Sequence, residues 1–382
     1  MRHVPIRERA VLTARSDGHP PFRADHVGSL LRPAALRQAF RHHHAGQIGN
    51  AEFARVQDAC IRDAVRMQED IGFKVVTDGE FRRASYWARF TERIEGFGLR
   101  ASILPFRDDQ GGQNEFIAPY VTGKVRRMQA LALDEFVFLK QIARATPKIT
   151  LPSPSTMHFY GTTDYGPPAV YGDFAAFFAD LSQAFSDEIS ALASAGCRYV
   201  QLDEVAIVLL ADPRIRDHVK AQGADPDHLV EVYIDATNRA LAARPSDMAV
   251  GFHICRGNYK GRYLGEGGYD ALAERIFVGI DATHFLLEYD TPRAGGFAPL
   301  RAVPKNKGVV LGLISSKVRD LENLDLLKQR VDEAARYIDI DRLAVSPQCG
   351  FASAAGGNPL SEADERAKLR RVIETAETVW KQ

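Results

Sequence analysis

Two thiols, an imidazole and a carboxylate stand at corresponding places in the last third of the chain: His253, Cys255, Glu288 and Cys349. Each sits at or just after the end of a short apolar run. The runs are Met248-Ala-Val-Gly-Phe-His-Ile-Cys255, His284-Phe-Leu-Leu-Glu288 and Leu343-Ala-Val-Ser-Pro-Gln-Cys349. Together the four residues make a tetrahedral zinc set of N, O and S ligands. A metal held mainly by soft thiolates suits activation of a bound thiol better than generation of hydroxide. The competing reading is packing, because cysteine and histidine near strand ends are often simply buried. Spacing alone leaves both open, since the ligands are far apart and no CxxC pair occurs. Their place in the fold has to decide.

That place depends on the elements that carry them. The 382 residues are 45% hydrophobic and 26% charged, enough to bury a large core. Lysine plus arginine equals aspartate plus glutamate, 49 each, so no net field draws nucleic acid or an anionic membrane. No apolar run approaches transmembrane length. The N-terminus carries Arg2, Arg7, Arg9 and Arg15 but lacks the apolar stretch of a secretory signal, and Pro5 and Glu8 spoil an amphipathic helix. Four cysteines in so long a chain form no disulfide framework, and a reducing cytoplasm is the expected setting. Cys60, in a helical pattern, and Cys197, opening a strand, are expected to be structural.

Strand-like runs alternate with helical patterns from end to end. The strands are expected at Phe22 to Val27, Phe73 to Thr77, Lys148 to Leu151, Cys197 to Leu202, Met248 to Cys255, His284 to Glu288, Gly308 to Ile314 and Leu343 to Val345. Helices are expected near 52–71, 130–145, 173–195, 227–243, 271–278, 321–337 and 361–380, the last with Ser361 as N-cap. The strands are short continuous apolar runs, as in parallel sheets covered on both faces. Eight such units predict an α/β fold of the (β/α)8 barrel type, with the doubly wound sheet as the alternative. No GxGxxG follows the first strand. Residues 98–127 are too long for a simple connection and predict an inserted hairpin or lid. Residues 1–20 read as an irregular extension and 21–382 as one catalytic barrel.

In a barrel the C-terminal strand ends carry the chemistry. Polar residues gather there: His26, Gly28 and Ser29, then Asp78 and Glu80, then Asp203 and Glu204, then Ser315 and Ser316. In order, His26-Val-Gly-Ser29, Asp78-Gly-Glu80, Gln201-Leu-Asp-Glu204, His253-Ile-Cys255, Glu288 and Cys349-Gly350 resemble the cobalamin-independent methionine synthase family. The resemblance runs from about Asp25 to the C-terminus and corresponds to the family's catalytic domain alone. It implies a zinc-bearing barrel that moves a methyl group onto homocysteine sulfur to give methionine. It makes His253, Cys255, Glu288 and Cys349 the zinc ligands, with Glu288 the labile one. Val27, Gly28 and Ser29 would hold the amino-acid carboxylate, and Glu80 and Asp203 the ammonium. The other reading of Asp203 and Glu204 is a rim salt bridge with an arginine.

The donor side departs from the family. Its proton-shuttling histidine is missing from Leu313-Ile-Ser-Ser-Lys317, where Lys317 falls about at that position and Ser315 lies beside it. A tryptophan that packs on the pterin aligns with Tyr160, and a folate-contacting acid with Leu209. The expected donor is a methyl-folate or a methyl-corrinoid, the latter delivered by a corrinoid or accessory protein; a corrinoid, a sulfonium or another small alkyl donor would need less acid assistance than a folate. The alternative is a thiol alkyltransferase similar to the epoxyalkane:coenzyme M transferase. Its sulfonate would need cations, for which Arg82, Arg83 and Arg256 are candidates, although Arg83 reads better as a solvated surface charge. An exposed ring of helices would leave room for a homo-oligomer.

Overall fold

The computed structural model describes residues 17–160, 166–167 and 169–381. Most of the expected N-terminal extension lies outside the described residues. The strands are β1 (Val75–Val76), β2 (Ile94–Ala101), β3 (Phe106–Arg107), β4 (Gln113–Asn114), β5 (Ile117–Arg127), β6 (Thr146–Pro147), β7 (Ile149–Pro152), β8 (Tyr199–Glu204), β9 (Ala249–Ile254), β10 (His284–Glu288), β11 (Gly308–Ile314) and β12 (Leu343–Pro347). β7 to β12 form one parallel sheet whose neighbours follow chain order. β1 pairs in parallel with β6, which runs through Lys148 into β7. On the other side, Ala24 makes a parallel bridge to Val345 of β12.

β8 to β12 are buried at every position, which accounts for their unbroken apolar runs. The covering helices include Asn50–Ile71, Phe174–Ser194, Pro226–Leu241 and Glu362–Trp380. Their starts are set locally: Asp173 accepts from the Ala176 N–H, and Ser361 with Asp364 forms a capping box.

Two expected strands shrink. Phe22 to Val27 keeps only the Ala24 bridge, and Phe73 to Thr77 keeps only two residues. Side chains take over the ladder's work there. Gln68 Nε2 donates to the Thr77 carbonyl at 2.9 Å and its Oε1 accepts the Thr77 N–H at 2.9 Å. The His26 N–H turns to Asp25 Oδ1 at 2.7 Å. The helices Ala34–His44, Pro154–Phe159, Ala206–Leu209 and Pro213–Ala221 were not expected. Pro154–Phe159 is buried all round and so carries no amphipathic period.

Residues 94–127 form an antiparallel hairpin, β2 against β5, that begins four residues before the expected insertion. The short β3–β4 pair lies between them. Arg107 exchanges backbone hydrogen bonds of 2.8 and 2.9 Å with Tyr263, tying the hairpin to the loop after β9.

A buried ionic network fixes the 25–31 segment. Lys148, fully buried, donates to Asp25 Oδ1 at 2.7 Å, to Gln201 Oε1 at 2.9 Å and to the His26 carbonyl. Tyr199 donates to Asp25 Oδ2 at 2.5 Å. Burial would raise the Asp25 pKa, but the Lys148 charge together with His26 and the hydrogen bonds from Lys148 and Tyr199 outweighs it, and the carboxyl stays below its ordinary value. Farther along, Glu365 Oε1 accepts the Leu31 N–H at 2.8 Å. Burial pushes the Glu365 carboxyl up to about 8. A raised acid favours folding fully below its unfolded value and loses that contribution as pH climbs toward the folded one. Glu365→Gln is therefore expected to be more stable than the parent by about 2–4 kcal/mol at pH 8 and by much less at pH 5. Urea unfolding at the two pH values checks this. An equal difference at both would contradict it.

Candidate functional site

The site sits where β8, β9 and β12 end. His253 and Cys255 are two residues apart, so strand alternation points both the same way. Cys349 follows β12 by two residues. One ligand atom from each of these three buried residues lies within 4.8 Å of the others. The sulfurs of Cys255 and Cys349 are 3.9 Å apart. Two zinc–sulfur bonds of about 2.3 Å at a tetrahedral angle would put them at about 3.8 Å. His253 Nδ1 lies 3.2 Å from the Leu286 carbonyl, which fixes the tautomer and leaves Nε2 bare. That Nε2 is buried without a hydrogen-bond partner. The donor set and the orphaned nitrogen fit a metal ion. Without one, the hydrogen bond to Cys349 and burial push the Cys255 thiol well above its ordinary pKa, and a coordinated cation would reverse this.

Glu288 stands apart from the other three. Its Oε2 accepts the Arg256 N–H at 2.8 Å, and its Oε1 lies 3.6 Å from both Lys317 Nζ and Arg293 Nη2. Burial opposes ionisation, but Lys317 and Arg256 hold the carboxyl down to about 2.

His253, Cys255 and Cys349 face a cavity of about 320 Å³, which Glu288 does not line. Val27, Ser29, Glu80 and Asp203 line it, whereas Gly28 shapes it. Gly28 has φ +132°, and a Cβ there would lie 2.6 Å from Thr150 Cγ2. Gly350 is the same kind of position, since a Cβ would strike the Ser29 hydroxyl. Glu80 takes the left-handed conformation at φ 60°, held by its N–H donating to Asp78 Oδ1 at 2.9 Å. Thr150 donates to Glu80 Oε1 at 2.8 Å, and Oε2 is left without a hydrogen-bond partner. Asp203 accepts from Gln201 Nε2 at 2.7 Å. Burial and the nearby Glu80 charge, against an opposing His253, push Asp203 up to about 7. No arginine makes an ion pair with Asp203 among the described residues. Glu204 faces away, accepting from Ser155 and from the Ile207 N–H at 2.8 Å, where it starts a short helix.

The three donor-side candidates separate. Tyr160 lines the main cavity, its hydroxyl 3.0 Å from that of Tyr86. Ser315 and Lys317 line a second cavity of about 280 Å³ with Asp290, Thr291 and Arg293. Leu209 is buried. None of the three arginines is among the residues lining the main cavity. Arg82 pairs with Asp58 at 2.5 Å, and Arg256 lies over the Tyr269 ring at 4.4 Å. Arg83 is not a solvated charge. It is 1% exposed and reaches Glu135 at 2.6 Å and the Thr150 carbonyl at 2.8 Å, a brace beneath Glu80 that a buried Glu135 requires. Sequence reasoning missed Thr150, Tyr86, Phe116 and Tyr259. Tyr259 is four residues after Cys255, and Tyr86 follows Asp78-Gly-Glu80, so both were near motifs already in view.

A family model described as cobalamin-independent synthase, catalytic domain, matches residues 22–377. The chain belongs to this family. It is a methyltransferase of the methionine synthase-like kind, from a family that is typically metal-dependent. It is 42% identical to the uncharacterized protein YxjH of Bacillus subtilis, over 94% of this chain and 95% of that one. It is 26% identical to the methionine synthase of Pyrococcus furiosus, over 85% of each. Among solved structures it resembles a candidate vitamin-B12-independent methionine synthase from Listeria monocytogenes, at 30% identity and TM-score 0.73, over 94% of this chain and 98% of that one. The fold also matches a B12-independent methionine synthase from Shewanella in complex with selenomethionine, at 20% identity and TM-score 0.70, over 97% and 98% of the two chains.

Cys255→Ser and Cys349→Ser are each expected to lower bound zinc from about one per chain to near zero while the far-ultraviolet circular dichroism stays unchanged. Full zinc in both variants, measured by elemental analysis, would contradict the assignment.

Proposed function

We propose that this chain is a zinc-dependent S-methyltransferase that methylates the thiol of homocysteine to give methionine. The observation that carries the reading is the meeting, in one cavity, of the His253, Cys255 and Cys349 cluster with two buried carboxylates: Asp203, which has no ion pair among the described residues, and Glu80, whose Oε1 lies 3.8 Å from Arg83 while its Oε2 has no hydrogen-bond partner. Such acids call for a ligand that brings a cation, as an amino-acid ammonium does. Glu80 Oε2 and Asp203 would take the ammonium, and Ser29 with the turn at Val27 and Gly28 would take the carboxylate. That pose directs the homocysteine thiol toward His253, Cys255 and Cys349, the residues that would hold zinc. When bound, zinc lowers the pKa of a thiol and favours its nucleophilic thiolate.

The residues around the reacting sulfur then act by placement. The carboxylates fix the amino-acid end, and the apolar wall excludes water, so the thiolate meets the methyl carbon oriented and poorly solvated. Glu288 is the fourth ligand by family resemblance. Arg256, Lys317 and Arg293 hold its carboxylate outside the His253, Cys255 and Cys349 cluster, as suits a ligand that gives way to substrate.

The same reading takes 21–382 as one catalytic (β/α)8 barrel. Chain-order pairing of β7 to β12, the Ala24–Val345 bridge, and the 3.1 Å Leu30 N–H to Gly79 carbonyl bond support closure. The hairpin at 94–127 would be a lid, since Leu99 and Ile117 reach the cavity from it. A cytoplasmic setting agrees with four free thiols, and no described helix is long and apolar enough to cross a membrane. The coenzyme M alternative is less well supported, because no lysine or arginine is among the described residues lining the cavity.

Asp203→Asn is expected to weaken homocysteine binding about 10- to 100-fold, the worth of one charge-assisted hydrogen bond, with zinc content unchanged. Titration calorimetry on zinc-loaded protein measures it. Unaltered affinity would mean that the thiol is not an amino acid.

A further inference from the structure

We propose that the methyl donor is a small methylsulfonium cation, seated against the aromatic wall of the main cavity. The proposal rests on the thiol methyltransferase reading above and names its second substrate. Charge, shape and proton supply each point to it.

The charge is one-sided. Glu80 is 2% exposed and Asp203 7% exposed, and no lysine or arginine is among the described residues lining the cavity. Buried carboxylates act at short range with little screening by water. A donor of net negative charge would meet these two buried acids. The ammonium of a bound homocysteine is offset by that molecule's own carboxylate, so the two acids, with Arg83 3.8 Å from Glu80 as their nearby counter-charge, still favour a cationic over an anionic donor.

The shape is small and aromatic. Tyr86, Trp87, Phe106, Phe116, Tyr160 and Tyr259 line the cavity. Phe116 ties the cluster together, with ring centroids 4.9 Å from Phe106, 5.0 Å from Tyr160 and 6.0 Å from Tyr259. Aromatic rings bind methylated onium groups through their quadrupoles, with no need for a hydrogen-bond donor on the ligand. A volume of about 320 Å³ holds an amino-acid thiol and a compact donor.

The proton supply is poor. A tertiary amine donor such as a methylated pteridine must be protonated before its nitrogen can leave. Burial pushes the Tyr86 and Tyr160 hydroxyls well above their ordinary pKa, so neither is a useful acid. His253 is committed to the metal cluster, and Lys317 lies in the other cavity. A sulfonium needs no acid. The thiolate sulfur gives an electron pair to the methyl carbon as the sulfonium carbon–sulfur bond breaks. That bond's pair stays on the departing sulfur, which leaves as a neutral thioether. The thiol proton has already passed to solvent. The step converts an anion and a cation into two neutral products, so a cavity poor in water favours it over the same reaction in bulk.

The test uses the zinc-loaded full chain with homocysteine and, in parallel, trimethylsulfonium, deuteromethyl-labelled S-methylmethionine, triglutamyl methyltetrahydrofolate and methylcobalamin. Methionine formation is followed by mass spectrometry. We expect transfer from a sulfonium with kcat/KM at least about 100-fold above that of the folate or the cobalamin. Tyr160→Leu should raise the sulfonium KM about tenfold, the worth of one lost cation–π contact, without changing homocysteine binding. If Tyr160→Leu misfolds, competition by tetramethylammonium but not by neutral neopentyl alcohol reads the same cation preference in the parent protein. Homocysteine sulfur on the zinc with no transfer from either sulfonium, or faster transfer from the folate or cobalamin, would overturn the donor assignment. Homocysteine that fails to reach the zinc would remove the thiol reading itself, and the donor assignment would fall with it.

Discussion

Acidic groups gathered and buried in one cavity, with Arg83 3.8 Å from Glu80 as the nearby counter-charge, are the constraint on which the rest of this structure depends. Glu80, Asp203, Cys255 and Cys349 are all buried along one cavity wall. Burying an acid without a partner costs several kcal/mol, and such a group protonates or recruits a cation. Asp203 shows the strain, held near neutrality by burial and by its neighbour Glu80. The protein commits most of its nearby cations to other acids: Lys148 to Asp25, Lys317 and Arg293 to Glu288, and Arg83 at 2.6 Å to Glu135 and only at 3.8 Å to Glu80. A metal ion at the thiols and an ammonium at the carboxylates would satisfy both halves of the cavity at once.

Much of the scaffold was legible because parallel strands buried on both faces leave continuous apolar runs. The bounds of β10 and β11 agree with their runs residue for residue. The segments around Ala24 and Val75 were overread for a physical reason: Gln68 and Asp25 side chains satisfy backbone groups that a longer ladder would have paired. Apolar composition cannot distinguish those two solutions. Nor can it reveal Pro154–Phe159, a helix buried on all sides, whose pattern has no polar face to set its period.

For the site, types and strand-end positions brought His253, Cys255 and Cys349 into view, and the fold places them together. What sequence could not supply was the direction of side chains beyond a strand end. Glu288 closes β10 as expected, yet its carboxylate is taken by Arg256, Lys317 and Arg293. Tyr160 and Lys317, paired as donor-side residues by alignment, fall in different cavities. Arg83 shows the same limit: a cation next to a rim motif reads as solvated until its acid, Glu135, from a distant helix, is seen beneath it. Apart from Tyr160, the aromatic wall escaped notice because its rings come from separate loops and from the hairpin, with no shared spacing.

The central claim is that a thiol substrate's sulfur joins the cysteines at one metal ion. Zinc-edge X-ray absorption on the zinc-loaded protein, with and without homocysteine, tests it most directly. The account predicts two sulfur neighbours from Cys255 and Cys349 in the free protein and three after homocysteine is added. Zinc whose sulfur count stays the same when homocysteine is present would contradict it.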